Sequence, residues 1–185
     1  MYKKENRENK RLILIAFICS LVFLFIAFRF LISELPDKNN IIEIHGILKS
    51  DIKVKKRGRG SRVLVIKLED YSKINFIIQS VSLGETYSQE LMDENKAGDS
   101  IKFFIENREY RRKIAKTEKI PFPENIFHPD KISIVEIKNS KSNYLLLKDY
   151  NKAHLKNNYL GIAFFGILGL LMILLGIKGK QYFKD

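Results

Sequence analysis

The sequence is short of the residues on which most recognisable chemistry depends. It holds a single cysteine, Cys19. No intramolecular disulfide can form, so whatever folds here is held by packing alone, and the cysteine count leaves the compartment open. There is no GxSxG elbow, no HExxH, no Walker-type glycine loop and no CxxC pair, which removes the common signatures of hydrolases, zinc peptidases, nucleotide-binding loops and thiol redox enzymes. The three histidines, His45, His128 and His154, are scattered, and none has a second histidine or a cysteine at ligand spacing. No cofactor and no metal is expected. The chain also lacks internal repeats, low-complexity tracts and any motif that ties it to a known family.

What the chain has in abundance is apolar length at its two ends. Residues 12–32, LILIAFICSLVFLFIAFRFLI, carry one charge, Arg29. A helix of that length covers about 30 Å, the thickness of a bilayer's hydrocarbon core. Arg29 lies one turn from the end, where its stem can run along apolar surface and lift the guanidinium to the headgroups. A cleaved signal peptide is the competing reading, because Lys3, Lys4, Arg7, Lys10 and Arg11 precede the run. The run is too long for one, and no small-x-small cleavage site follows it, so an uncleaved anchor is expected. Residues 159–177 form a second run with no charge at all, and with Gly161, Gly166, Gly169 and Gly176 among Leu, Ile and Phe. No glycine pair has GxxxG spacing, so the expectation of a helix-dimer face is weak.

Charge is uneven as well. The formal net charge is +12, and residues 33–158 hold 24 bases against 18 acids, leaving the rest of the excess in the tails. Bases crowd the N-terminal tail, whereas residues 33–47 contain only Lys38. That asymmetry places the N-terminus in the cytoplasm. The expected organisation is a basic cytoplasmic tail at 1–11, a first span at 12–32, an extracytoplasmic domain at 33–158, a second span at 159–177 and a cytoplasmic tail at 178–185. The protein would then sit in the cell membrane with two spans and both termini cytoplasmic.

The middle region alternates. Ile42, Ile44 and Gly46 fall to one side, with Glu43, His45 and Ile47 to the other, which is strand periodicity. Residues 62–68 form a near-continuous β-branched run, and 74–81 and 101–105 supply further strands. Gly58 and Gly60 can turn a hairpin between the first two strands. Residues 84–96 suggest a short helix with Tyr87 and Leu91 facing the core together and Gly98 as its stop. Residues 132–137 and 144–147 complete the strands, and Asp149 is placed to cap a helix that runs into the second span. The fold class is thus an integral membrane protein whose two helices flank a mainly β (α+β) domain; strand, strand, strand, helix, strand, strand is also the order of a small OB-like barrel.

The densest local signal is a basic hairpin, Lys53, Lys55, Lys56, Arg57, Arg59 and Arg62, with no acid among them. Such a cluster suits anionic lipid or a phosphate-bearing envelope polymer, or nucleic acid if the domain faces the cytoplasm. It equally suits a solvated edge strand that its charges keep from pairing. A second basic stretch, Arg108 to Lys119, is diluted by Glu106, Glu109 and Glu118, a pattern that fits a solvent-facing helix. The leading expectation is a non-catalytic, membrane-anchored module that contacts an envelope protein or an anionic surface. The alternative is an envelope enzyme built from distant residues, starting from His45 with Glu43 or His128 with Asp130.

Overall fold

A computed structural model describes residues 2–56, 58–122, 124–139 and 142–182. It separates into two compact units: one formed by the two chain ends, the other by residues 35–154.

The first unit holds the first long helix and the second one from Leu155 onward. Helix α1 covers Tyr2–Leu31, with an apolar window at Lys10–Leu31, and helix α6 covers Leu147–Tyr182. Both are long and apolar enough to cross a membrane, and most of their apolar surface is uncovered: Leu21 is 69% exposed and Leu160 63%. Helices of a water-soluble core hide such side chains, because each large apolar side chain left in water forgoes about 1.5–3 kcal/mol. This pattern is consistent with a membrane protein.

The glycines of α6 are used within the chain. A Cβ on Gly161 would come within 2.8 Å of the Phe30 ring, one on Gly169 within 2.8 Å of Leu24, and one on Gly176 within 3.0 Å of Phe17. As α6 advances, the α1 partners recede, so the two helices pack antiparallel, with glycines as sockets for bulky side chains. Phe165 adds ring contacts with Phe23 and Phe30, at centroid separations of 6.2 and 6.1 Å.

In the second unit the strands are β1 (Ile41–Ile47), β2 (Lys53–Lys56), β3 (Arg62–Ile66), β4 (Asn75–Ile78), β5 (Ser100–Glu106), β6 (Lys131–Lys138) and β7 (Asn143–Leu145). They form one seven-stranded sheet in the order β1-β5-β6-β4-β3-β2, with β7 also paired to β6. All pairings are antiparallel except β4 with β6. Short helices α2 (Ser80–Leu83) and α3 (Ser88–Glu94) lie between β4 and β5 in the chain. The alternation in β1 and β5 holds: Ile44, Gly46, Ile101, Phe103 and Ile105 are buried, while Glu43, His45 and Lys102 are exposed. Strand β3 is buried from Val63 to Ile66, as a run covered on both faces should be. Phe76 and Phe103, 4.9 Å apart at their ring centroids, occupy the middle of the core.

The closed barrel suggested by the element order does not form; the sheet is open. Strand β1 spends its pairing on β5 and leaves the ladder after Ile47, so residues 49–52 cross to β2 unpaired with any strand. Among the described residues a single isolated bridge, Leu48 with Leu68, joins the end of β1 to the end of β3, supported by Lys49 N–H to the Lys67 carbonyl (2.9 Å) and Glu69 N–H to the Ile47 carbonyl (3.0 Å). Gly46 admits the close approach, since a Cβ there would meet Leu68 Cδ1 at 3.1 Å.

Three local expectations are corrected. Leu91 is fully buried, but Tyr87 is 62% exposed, because α3 begins only at Ser88 and Tyr87 is its N-cap, outside the helical period. Gly98 does not stop that helix, whose C-cap is Asn95. It takes φ +91 in a separate turn and donates its N–H to the Leu48 carbonyl at 2.8 Å. Asp149 lies in the first turn of α6 rather than at its cap, the helix having started at Leu147.

Candidate binding face

The segment between β5 and β6 has no counterpart in the simple strand pattern. After β5 come helix α4 (Asn107–Glu109) and a π-helical turn, Tyr110–Ile114, closed by Ala115 N–H to the Tyr110 carbonyl at 2.9 Å. π-Turns are rare and cluster at functional sites. Two residues later Lys116 takes φ +55, a left-handed backbone that costs a non-glycine residue free energy and is sustained only by its surroundings. Thr117 N–H donates to the Arg111 carbonyl at 2.9 Å, which holds the turn.

The π-turn drives Lys113 inward. Its side chain is 1% exposed, and its ammonium donates to Glu109 Oε2 (2.7 Å), to Glu124 Oε1 and to the Lys131 carbonyl (2.6 Å). A buried ammonium demands such compensation, because an unpaired one costs several kcal/mol. The consequence is mechanical. Glu124 opens helix α5 (Glu124–Phe127), so Lys113 fastens that loop to the start of β6. The stretch expected to be a solvent-facing charged helix is in part a buried ion network. The i,i+4 pair with Glu109 is visible in the sequence, but Glu124 and the Lys131 carbonyl come from other segments and are not.

The fastened loop carries an unusual surface. Phe122 is 78% exposed, Ile126 62% and Phe127 65%. Single exposed apolar residues are ordinary, but three large ones fall within six positions here, on a loop held by a buried ion network. The sequence does carry a trace of this in IPFPENIF, where bulky apolar residues follow neither helix nor strand period.

Beside the loop opens a cleft of about 600 Å³. Its apolar wall includes Ile74, Ile114 and Ile120, and its charged rim includes Lys73, Arg112 and Lys116. Asp70 and Asp130 supply negative charge, but Asp130 Oδ2 accepts from Asn75 Nδ2 at 2.7 Å and is committed to the fold. Arg112 Nε is buried without a hydrogen bond, 3.7 Å from Glu118 Oε2, whose other oxygen pairs with Arg111. The cleft thus carries charges of both signs, and its lining residues include no histidine or cysteine. Upstream of the π-turn, Glu106 has its carboxyl pushed above the usual range, chiefly by burial; Arg108, 3.2 Å away, opposes the shift and Glu109 adds to it.

The residues singled out in the sequence are placed as follows. Lys53, Lys55, Lys56 and Arg62 are exposed, on edge strand β2 and the start of β3; Arg57 and the side chain of Arg59 lie outside the described residues. A 3-10 turn at Gly58–Gly60 closes the hairpin, and only Gly60 takes positive φ, +77. The outer face of β2 puts Lys53 and Lys55 opposite Val65 and Val63, and the cleft is lined by other residues. His45 and Glu43 are both exposed on β1, His128 lies 3.4 Å from Lys131 Nζ, and His154 stacks on Tyr150 with its Nε2 buried and without a hydrogen bond. Among the described residues no cluster of three or more His, Cys, Asp or Glu side chains is arranged to hold a metal.

No protein family model matches the chain, and no curated protein matches it.

Proposed function

We propose that this chain is a membrane-anchored, non-catalytic module whose extracytoplasmic domain docks an envelope protein. The observation that carries the reading is the exposed trio Phe122, Ile126 and Phe127 on a loop fastened by Lys113. Binding energy at protein interfaces concentrates in a few large side chains already held in their bound positions. Here the ordering cost has been met in the folded domain, which is the use that offsets burying a lysine. The complement proposed is a partner with an apolar groove, edged by acidic side chains that would meet Lys73 and Lys116 at the rim of the neighbouring cleft. The domain's architecture is proposed to be an opened variant of the OB-type order, supported by its β1-β5-β6-β4-β3 path, the parallel β4–β6 pair and the helices between β4 and β5.

The test is photocrosslinking in cells that make the protein, with a photoreactive residue at Phe122 or Phe127 and, as control, at exposed Lys102. One discrete protein adduct from the loop positions and none from Lys102 is expected, and Phe122→Asp should abolish the Phe127 adduct. Adducts equally abundant from all three positions, or none from the loop, would refute the reading.

A further inference from the structure

A second cavity, of about 580 Å³, lies in the same domain where the segments leading to the two long helices come together. Lys38, Ile41, Leu147 and Lys148 are among its lining residues, and Asn151 Nδ2 ties their two chain segments together by donating to the Pro36 carbonyl at 2.9 Å. Phe104 and Leu146 complete an apolar floor. Of the three lysines around it, Lys138 is already neutralised: it pairs with the buried carboxylate of Glu136 and lies 5.3 Å above the Phe104 ring. Lys38 and Lys148 have no partner among the described residues, and neighbouring Asp37 is occupied by its own turn, accepting from the N–H groups of Asn39 (2.7 Å) and Asn40 (3.0 Å).

We propose that this cavity holds one anionic phospholipid, with the phosphate between Lys38 and Lys148 and the upper acyl chain against Ile41, Phe104 and Leu147. Two uncompensated ammonium groups over an apolar floor match an amphiphile that is negative at one end and greasy at the other. Chain length keeps the site within reach of such a ligand. Lys38 follows the expected first span by six residues, about 20 Å of extended chain at most, and Lys148 precedes the second by eleven, about 16 Å of helix. A polar solute such as free phosphate would use the lysines and leave the floor unfilled. A docked protein would be expected at the Phe122 loop instead, so this site stands or falls independently of that one.

The chain has no tryptophan, so Phe104→Trp supplies a single reporter in the cavity wall. In the full-length protein in non-ionic detergent, phosphatidylglycerol brominated on its acyl chains should quench that fluorescence, and brominated phosphatidylcholine should not. Lys38→Gln with Lys148→Gln should weaken the quenching affinity on the order of thirty-fold, since each lysine contributes about a factor of five. Native mass spectrometry of the unsubstituted protein provides an arm free of the reporter, in which a retained phosphatidylglycerol adduct is expected. Equal quenching by both lipids, or an unaltered affinity in the double variant, would overturn the proposal. Displacement of the adduct by millimolar inorganic phosphate would also overturn it, in favour of a plain phosphate site.

Discussion

Replacing Lys113 by methionine tests the mechanical role of the buried ammonium. Methionine keeps the length and removes the charge. Glu109 and Glu124, with side chains 14% and 30% exposed, lose their shared cation, and the Lys131 carbonyl loses its donor. Breaking a buried pair from one side costs about 3–5 kcal/mol. Glu124 can swing partly into water, so the lower end, about 3 kcal/mol, is expected for Lys113→Met. Urea unfolding of the full-length protein in detergent, followed by circular dichroism, measures it. The compensated variant, Lys113→Met with Glu109→Gln and Glu124→Gln, should recover most of the loss, because amides are far cheaper than carboxylates to leave beside an apolar side chain. The single variant should also release the loop, so that trypsin cuts after Lys116 and Lys119 faster than in the parent. A single variant within about 0.5 kcal/mol of the parent, with an unchanged cleavage rate, would refute the claim that the network orders the loop.

Four further outcomes are expected. Glu106 holds its proton more tightly folded than unfolded, so its ionised form destabilises the fold at neutral pH and this cost fades as pH falls toward 4.5. Glu106→Gln should raise the melting temperature at pH 7.5 and bring it nearer the parent's at pH 5, the exposed Arg108 pair being a minor loss; a lower value at pH 7.5 would contradict this. Gly169→Ile should lower the thermal midpoint in detergent because Leu24 fills its socket, while Gly166→Ile, with open space around it, should leave the midpoint unchanged; equal effects would deny the packed helix pair. Lys53→Val with Lys55→Val should promote self-association visible by sedimentation velocity, if the charges guard edge strand β2. Lys53→Gln with Lys55→Gln and Lys56→Gln, sedimented with anionic vesicles, tests the other role of these bases, and unaltered binding would remove it.

The parts of this protein that were legible in its sequence are those governed by local periodicity. Strands β1 and β5 alternate cleanly, β3 is continuously apolar, and the terminal runs are too long and uncharged for a small soluble core. Legibility failed where the deciding partner is distant. Lys113 looks like one base among many, with an ordinary i,i+4 partner in Glu109, until Glu124 and the Lys131 carbonyl are brought around it. The glycines of α6 lack GxxxG spacing and still work as sockets, because their partners Phe30, Leu24 and Phe17 belong to the chain's other long helix. Barrel closure was not readable either, since element order is shared by open and closed sheets and the outcome turned on where β1 leaves its ladder at Leu48.

The proposed function places the domain outside the cytoplasm, held there by two membrane spans. Its most direct test uses the single native cysteine: with Cys19→Ser as background, Lys102→Cys and Lys180→Cys are each exposed to a membrane-impermeant maleimide on intact spheroplasts. Labelling of the Lys102→Cys protein at once, and of the Lys180→Cys protein only after lysis, is the predicted result. The reverse order, or labelling of both before lysis, would contradict it.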